Sequence, residues 1–176
     1  MQGGERVVDI GCGPGVTLEY LPNDVEYSGF DISENYIRTA RQKFPGKTFL
    51  VGTAQDFIDN DPSRLNAADL IICNGLLHHL NDDEAIDVLQ LARSMLKPGG
   101  RLVCLEAVYL VRQTWISKWI ISKDRGRYIR SEREWKDLTS RVFNSYSTNI
   151  VTGLIRIPYV HIIIECFREH LAGGQD

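Results

Sequence analysis

The chain has 176 residues, 43% of them hydrophobic and 24% charged, with a net charge of −3. That is the size and make-up of one globular domain, residues 1–176, with room for a sizeable core. No apolar run approaches the roughly 20 residues that a membrane-spanning helix needs, and residues 1–6 lack the apolar stretch of a secretory signal.

Short apolar runs alternate with helical periodicity, which predicts βαβ units and a parallel sheet. Residues 6–11 read as the first strand, leading into Gly11, Gly13 and Gly15 at G-x-G-x-G spacing. Glycine accepts positive φ and has no Cβ, so a ligand can lie against bare backbone there. The nicotinamide fingerprint puts its third glycine one residue later, where Val16 stands, and no Gly-Lys-Ser/Thr follows for a phosphate loop. Residues 16–21 form a short helix ending before Pro22. Residues 27–31 are the second strand, Ser33 caps a helix running to residue 44, and residues 48–52 are the third strand. The continuous apolar run at 68–74 predicts a central strand covered on both faces. Asp82, Asp83 and Glu84 suit the positive end of the next helix, which Pro98-Gly99-Gly100 stops.

Residues 101–106 are the fifth strand. A basic, partly helical insert follows over about 108–142, in which Ser131-Glu132-Arg133-Glu134 has the form of a capping box. Runs at 146–151 and 159–167, separated by Gly153 and Pro158, predict a closing antiparallel hairpin. Cys12, Cys73, Cys104 and Cys166 are far apart with no C-x-x-C pair. Three lie in apolar runs, so core packing in a cytoplasmic setting is expected rather than disulfides or zinc.

The run Val7-Val8-Asp9-Ile10-Gly11-Cys12-Gly13-Pro14-Gly15 resembles the first motif of class I S-adenosylmethionine (SAM) dependent methyltransferases. Asp31, at Gly29-Phe30-Asp31-Ile32-Ser33, stands about 20 residues past the glycine loop, where a carboxylate can accept both ribose hydroxyls of an adenosine. Lys97-Pro98-Gly99-Gly100 before the fifth strand completes a resemblance to the small-molecule branch that covers residues 6–107. It implies a Rossmann-like, doubly wound α/β fold: three layers around a mostly parallel seven-stranded sheet with an antiparallel C-terminal strand. It also implies SAM as cofactor. The methionine end would lie on Gly11, Cys12, Gly13 and Gly15, with Asp9 in its polar network and Asn74, Gly75 and Leu76 flanking it. Ile32 would face the adenine. Relatives often read Gly-Asp-Ala where this chain has Gly52-Thr53-Ala54, so Thr53, the Ala54 backbone and Gln55 or Asp56 are expected around the adenine amino group. Members usually carry a helix ahead of the first strand, and few residues precede it here.

Methyl transfer from a sulfonium is an in-line displacement that mainly asks for positioning and desolvation. For an acceptor of high pKa a general base helps, and His78, Glu106 and Tyr109 are the candidates near the expected pocket. His78 and His79 are adjacent with no carboxylate at metal-ligand spacing, so no metal is expected and His79 reads as a loop brace. Substrate choice is expected in the insert, where residues 112–141 carry nine basic and four acidic residues. Trp115, Ile116, Trp119 and Ile120 share one face there. Three readings compete: a lid or subunit contact burying its tryptophans, a pocket for an anionic small molecule, or a membrane-surface or nucleic-acid patch. Nucleic acid is disfavoured because no recognisable binding module accompanies the charge. The expected function is methyl transfer from SAM to a small-molecule acceptor, with homo-oligomerisation left open. The alternative is a SAM-binding regulatory subunit. A nicotinamide oxidoreductase is disfavoured by Val16.

Overall fold

The computed structural model describes residues 4–170. Eight strands form one sheet: β1 (Arg6–Ile10), β2 (Glu26–Asp31), β3 (Thr48–Val51), β4 (Ala68–Asn74), β5 (Leu96–Tyr109), β6 (Arg130–Ser131), β7 (Ser145–Thr152) and β8 (Val160–Phe167). Seven of them run in the order β3-β2-β1-β4-β5-β8-β7, and the two-residue β6 pairs with β5 off that path. The first five are parallel. β8 is antiparallel to both β5 and β7, the reversed strand that the closing hairpin predicts.

Successive residues of the central strands leave on opposite faces. Val7, Leu70 and Ile72 join a core with Ile37, Ala40 and Phe49, while Val8, Ile71 and Cys73 join the larger core of Phe57, Leu89, Met95 and Trp135. Helix α1 (Glu34–Lys43) covers the first face. α2 (Ala54–Asp59), α3 (Asp82–Met95) and α5 (Glu132–Ser140) contribute to the second, giving three layers. All four cysteines are buried and free. Among the described residues no helix is long and apolar enough to cross a membrane.

Three local features depart from the pattern. The expected helix at 16–21 is a 3-10 turn, Val16–Tyr20. The loop after β3 folds as α2, because Thr53 and Asp56 form a reciprocal capping box. And β5 starts at Leu96, which pairs with Ala68, whereas Arg101 pairs with Leu70. Lys97-Pro98-Gly99-Gly100 therefore bulges out of the ladder. A Cβ on Gly100 would come within 2.8 Å of the Ala68 carbonyl oxygen, which is why glycine stands there.

Candidate functional site

The carboxyl ends of β1, β2 and β4 open onto a cavity of about 580 Å3. In an open parallel sheet this edge is where ligands bind. Of the residues expected around SAM, Gly11, Gly13, Asp31, Ile32, Thr53, Ala54, Gly75 and Leu76 line it; Asp9, Cys12, Gly15, Gln55 and Asn74 do not. Ile10, Phe30, Ser33, Tyr36, His79 and Leu80 line it without having been expected.

Asp31 organises this cavity before any ligand arrives. Its Oδ2 accepts the Gly13 amide at 3.0 Å and its Oδ1 accepts the Ser33 amide at 2.8 Å. A carboxylate oxygen can accept a second hydrogen bond, so both remain able to take ribose hydroxyls. Ile32 is 78% exposed beside it, an apolar surface placed where an adenine would lie. Two residues expected near that adenine have other partners. The Gln55 amide donates to Asp59, and the Asp56 carboxylate accepts the Thr53 amide and hydroxyl, which holds its pKa below the usual aspartate value.

Asp9 is buried behind the glycine loop instead of facing the cavity. Its Oδ2 accepts the Tyr27 hydroxyl at 2.8 Å. Burial pushes its pKa up to about 7, opposed by hydrogen bonds from Tyr27 and Thr17 and reinforced by the nearby Asp31 charge. Its polar partners are thus the hydroxyls of Tyr27 and Thr17.

A second cavity of about 480 Å3 lies between the ends of β4, β5 and β8, lined by Asn74, His78, Asp124, Ile157, Tyr159 and His161 among others. Gly75 lines both cavities, so they meet at its backbone. Its φ of +66° is a glycine conformation, and a Cβ there would meet only His78, at 3.8 Å.

Of the three expected base candidates, the structure joins two. Glu106 is fully buried below the mouth, not at it. Its Oε1 accepts the amides of Leu76 and Leu77 at 3.1 and 2.9 Å, and its Oε2 lies 2.5 Å from Nδ1 of His78. Tyr109 is half-buried and lines neither cavity. The other nitrogen of His78, Nε2, is 3.4 Å from Asp124 Oδ1. Burial lowers the His78 pKa, but Glu106 and Asp124 outweigh it and the net shift is upward. Burial raises Asp124, yet hydrogen bonds from Tyr159 and the Gly126 amide, with the histidine charges, leave it below its usual value.

Asp124 is the residue that sequence reasoning missed. It comes from the insert, 46 positions beyond His78 in the chain. Tyr159 donates to its Oδ2 at 2.6 Å, and the Tyr128 amide donates to the His78 carbonyl at 2.9 Å. Gly126 permits this approach, since a Cβ there would overlap the His78 ring at 2.0 Å. The ligand atoms of His78, His79 and Asp124 fall within 4.8 Å of one another, so the carboxylate whose absence argued against a metal is present after all. The only available signal was the acidic character of Asp124 in a basic segment, which is no signal at all.

The insert is anchored by Arg130, one of its nine basic residues, which is buried. Its guanidinium donates to Asp82 and to the carbonyls of Leu77, Leu80 and Tyr128. The capping box at Ser131 is present and starts α5 as expected. The tryptophans of helix α4 (Trp115–Ile121) do not bury on the core as the lid reading expected: Ser117 and Ile121 face inward, and Trp115 and Trp119 face solvent.

Residues 8–102 match the methyltransferase domain family. A non-reducing polyketide synthase of Emericella nidulans is 30% identical over 150 residues, 75% of this chain and 6% of that protein. A desmethylxanthohumol 6'-O-methyltransferase of Humulus lupulus is 29% identical over 175 residues, 92% of this chain and 45% of that protein. The chain thus spans less than half the length of either. A SAM-dependent methyltransferase structure from Methanosarcina mazei superposes with a TM-score of 0.72 at 18% identity, covering 97% of this chain and 95% of the other, a likeness of fold.

Proposed function

This chain belongs to the methyltransferase domain family, and we propose that it uses SAM to methylate a small molecule held in the second cavity. The observation that carries this reading is the meeting of two cavities at the Gly75 backbone. One presents the Asp31 carboxylate, bare glycine backbone and an exposed Ile32, which suit an adenosine. The other presents a histidine held between two carboxylates.

When bound, SAM supplies a methyl group on a sulfonium, an already activated leaving group. The chain's own residues then have three tasks. Asp31 holds the donor by its ribose while keeping the glycine loop in place. Glu106 holds the 76–78 loop through its amides and fixes the His78 ring through Nδ1. His78, once it has lost its Nε2 proton, accepts a proton at that nitrogen from the acceptor's nucleophilic atom. Glu106 and Asp124 flank the ring on both sides and raise its pKa, so the free base forms at higher pH than for an ordinary histidine.

The lining also favours one class of acceptor. It holds Asp124 and, among the described lining residues, no lysine or arginine, so an anionic group would be unpaired there. Leu105, Ala107, Ile155 and Ile157 supply an apolar wall, and the buried Nδ1 of His161 has no hydrogen-bond partner. These features support an uncharged, mostly apolar acceptor with a polar nucleophilic end, in place of the anionic one considered from sequence.

Calorimetry with SAM tests the donor half. Asp31→Ala should weaken binding by roughly 1–3 kcal/mol, the cost of leaving polar partners unsatisfied. Unchanged affinity in the variant, or no heat with the intact chain, overturns the reading.

A further inference from the structure

Trp115 and Trp119 are 77% and 58% exposed, one turn apart on α4 and opposite its buried Ser117 and Ile121. Val111, 97% exposed, lies four residues ahead of Trp115 in the chain, and the exposed Ile116 follows it on α4. Isolated exposed apolar side chains are ordinary, but four within nine residues, two of them tryptophan, form a patch of the kind that marks an interaction site.

The charges around it are as unusual. Residues 112–127 hold Arg112, Lys118, Lys123, Arg125 and Arg127 against the single acid Asp124, which is already engaged by His78 and Tyr159. Among the described residues none of those five cations takes part in an ion pair. Lys123 instead sits over the Trp119 ring at 5.9 Å. Their charge is therefore fully available to a partner, on a chain that is net negative overall.

We infer that this face docks on an anionic lipid bilayer surface. Tryptophan is favoured at the interfacial level, with an apolar body and a polar N–H. Each unpaired basic residue gains from the negative surface potential of anionic lipid. A second copy of this chain is a poorer occupant. A two-fold interface brings the same patch against itself, and five unpaired cations would then face five more. The surface also reaches the acceptor cavity. Asp124, three residues past the end of α4, lines that cavity, and the half-exposed Ile155 and Ile157 line it from the β7–β8 connection. Docking there would set the cavity mouth at the membrane, where an apolar acceptor of the kind proposed above would be found. The docking itself does not depend on that reading.

The test is co-sedimentation of the intact chain with vesicles of phosphatidylcholine alone and with about 30 mol% phosphatidylglycerol added, at low and high salt. The chain should partition at least tenfold more strongly to the anionic vesicles at low salt. Lys118→Glu with Lys123→Glu should abolish that preference. Trp115→Ala with Trp119→Ala should weaken partitioning by a similar factor while SAM binding, measured by calorimetry, stays unchanged. Equal partitioning to both vesicle types, or insensitivity to both double variants, overturns the proposal. A dimer in sedimentation equilibrium that the tryptophan variant dissociates, with no vesicle binding, assigns the face to a second copy and also overturns it. Since vesicle binding is read without SAM or acceptor, failure of the methyl-transfer reading leaves this result separately interpretable.

Discussion

Both oxygens of Asp31 are engaged by backbone amides, one from the glycine loop and one from the start of α1. The residue proposed to hold the ribose thus also shapes the loop proposed to receive the rest of the cofactor. Its position was legible because the distance from glycine loop to acid is fixed by one strand-turn-strand unit, a local length. The His78 site is the opposite case. Glu106 and His78 were legible separately as residues at strand ends, but their 2.5 Å contact, and Asp124 at 3.4 Å on the other side, depend on how β4, β5 and the insert stack. The two carboxylates set the expected pH response. Together they raise the His78 pKa above its usual value, so kcat/KM should rise with pH along a limb centred above that of an ordinary histidine. Asp124→Asn removes one stabiliser of the imidazolium, and that limb should move to lower pH. A limb that does not move, or activity lost to a chelator and restored by zinc, would make His78 something other than the base.

At the level of elements, β5 and the insert meet through Arg130 and α5. Trp135 is fully buried, donates its indole N–H to the Ala107 carbonyl at 3.0 Å and packs beneath the Arg130 guanidinium. Arg130 donates to the Leu80 carbonyl and adds a second donor to the Leu77 carbonyl, which already accepts the Leu80 amide within the 3-10 turn Leu77–His79. Only a forked guanidinium reaches Asp82 and three carbonyls at once, so Arg130→Lys should destabilise the fold by about 1–3 kcal/mol. The urea midpoint measures this, and an unchanged midpoint would show that the contacts are made by solvent just as well. The helix start at Ser131 was legible because capping is local. The burial of Arg130 was not, because a basic residue in a basic run carries no mark of its partners.

At the scale of the molecule, two cavities and one exposed patch lie along the same edge of the sheet. A ligand that binds only the folded state stabilises it by mass action, so SAM at about 100 times its Kd should add about 2.7 kcal/mol. A thermal melt with and without SAM reads that as a rise in Tm, and Asp31→Ala should reduce the rise at the same SAM concentration. The alternation of apolar runs and helical periods determined the α/β layers, and the glycine run with its acid located the cavity at the ends of β1 and β2, since each is set by contacts within one βαβ unit. The second cavity, the histidine between two carboxylates, the buried arginine and the outward tryptophans were decided by tertiary structure alone. They bring β4, β5, the insert and β8 together across as many as 87 positions of chain, from Asn74 to His161. No local pattern encodes contacts at that separation, because a side chain's partner is chosen by packing and charge after the elements have formed.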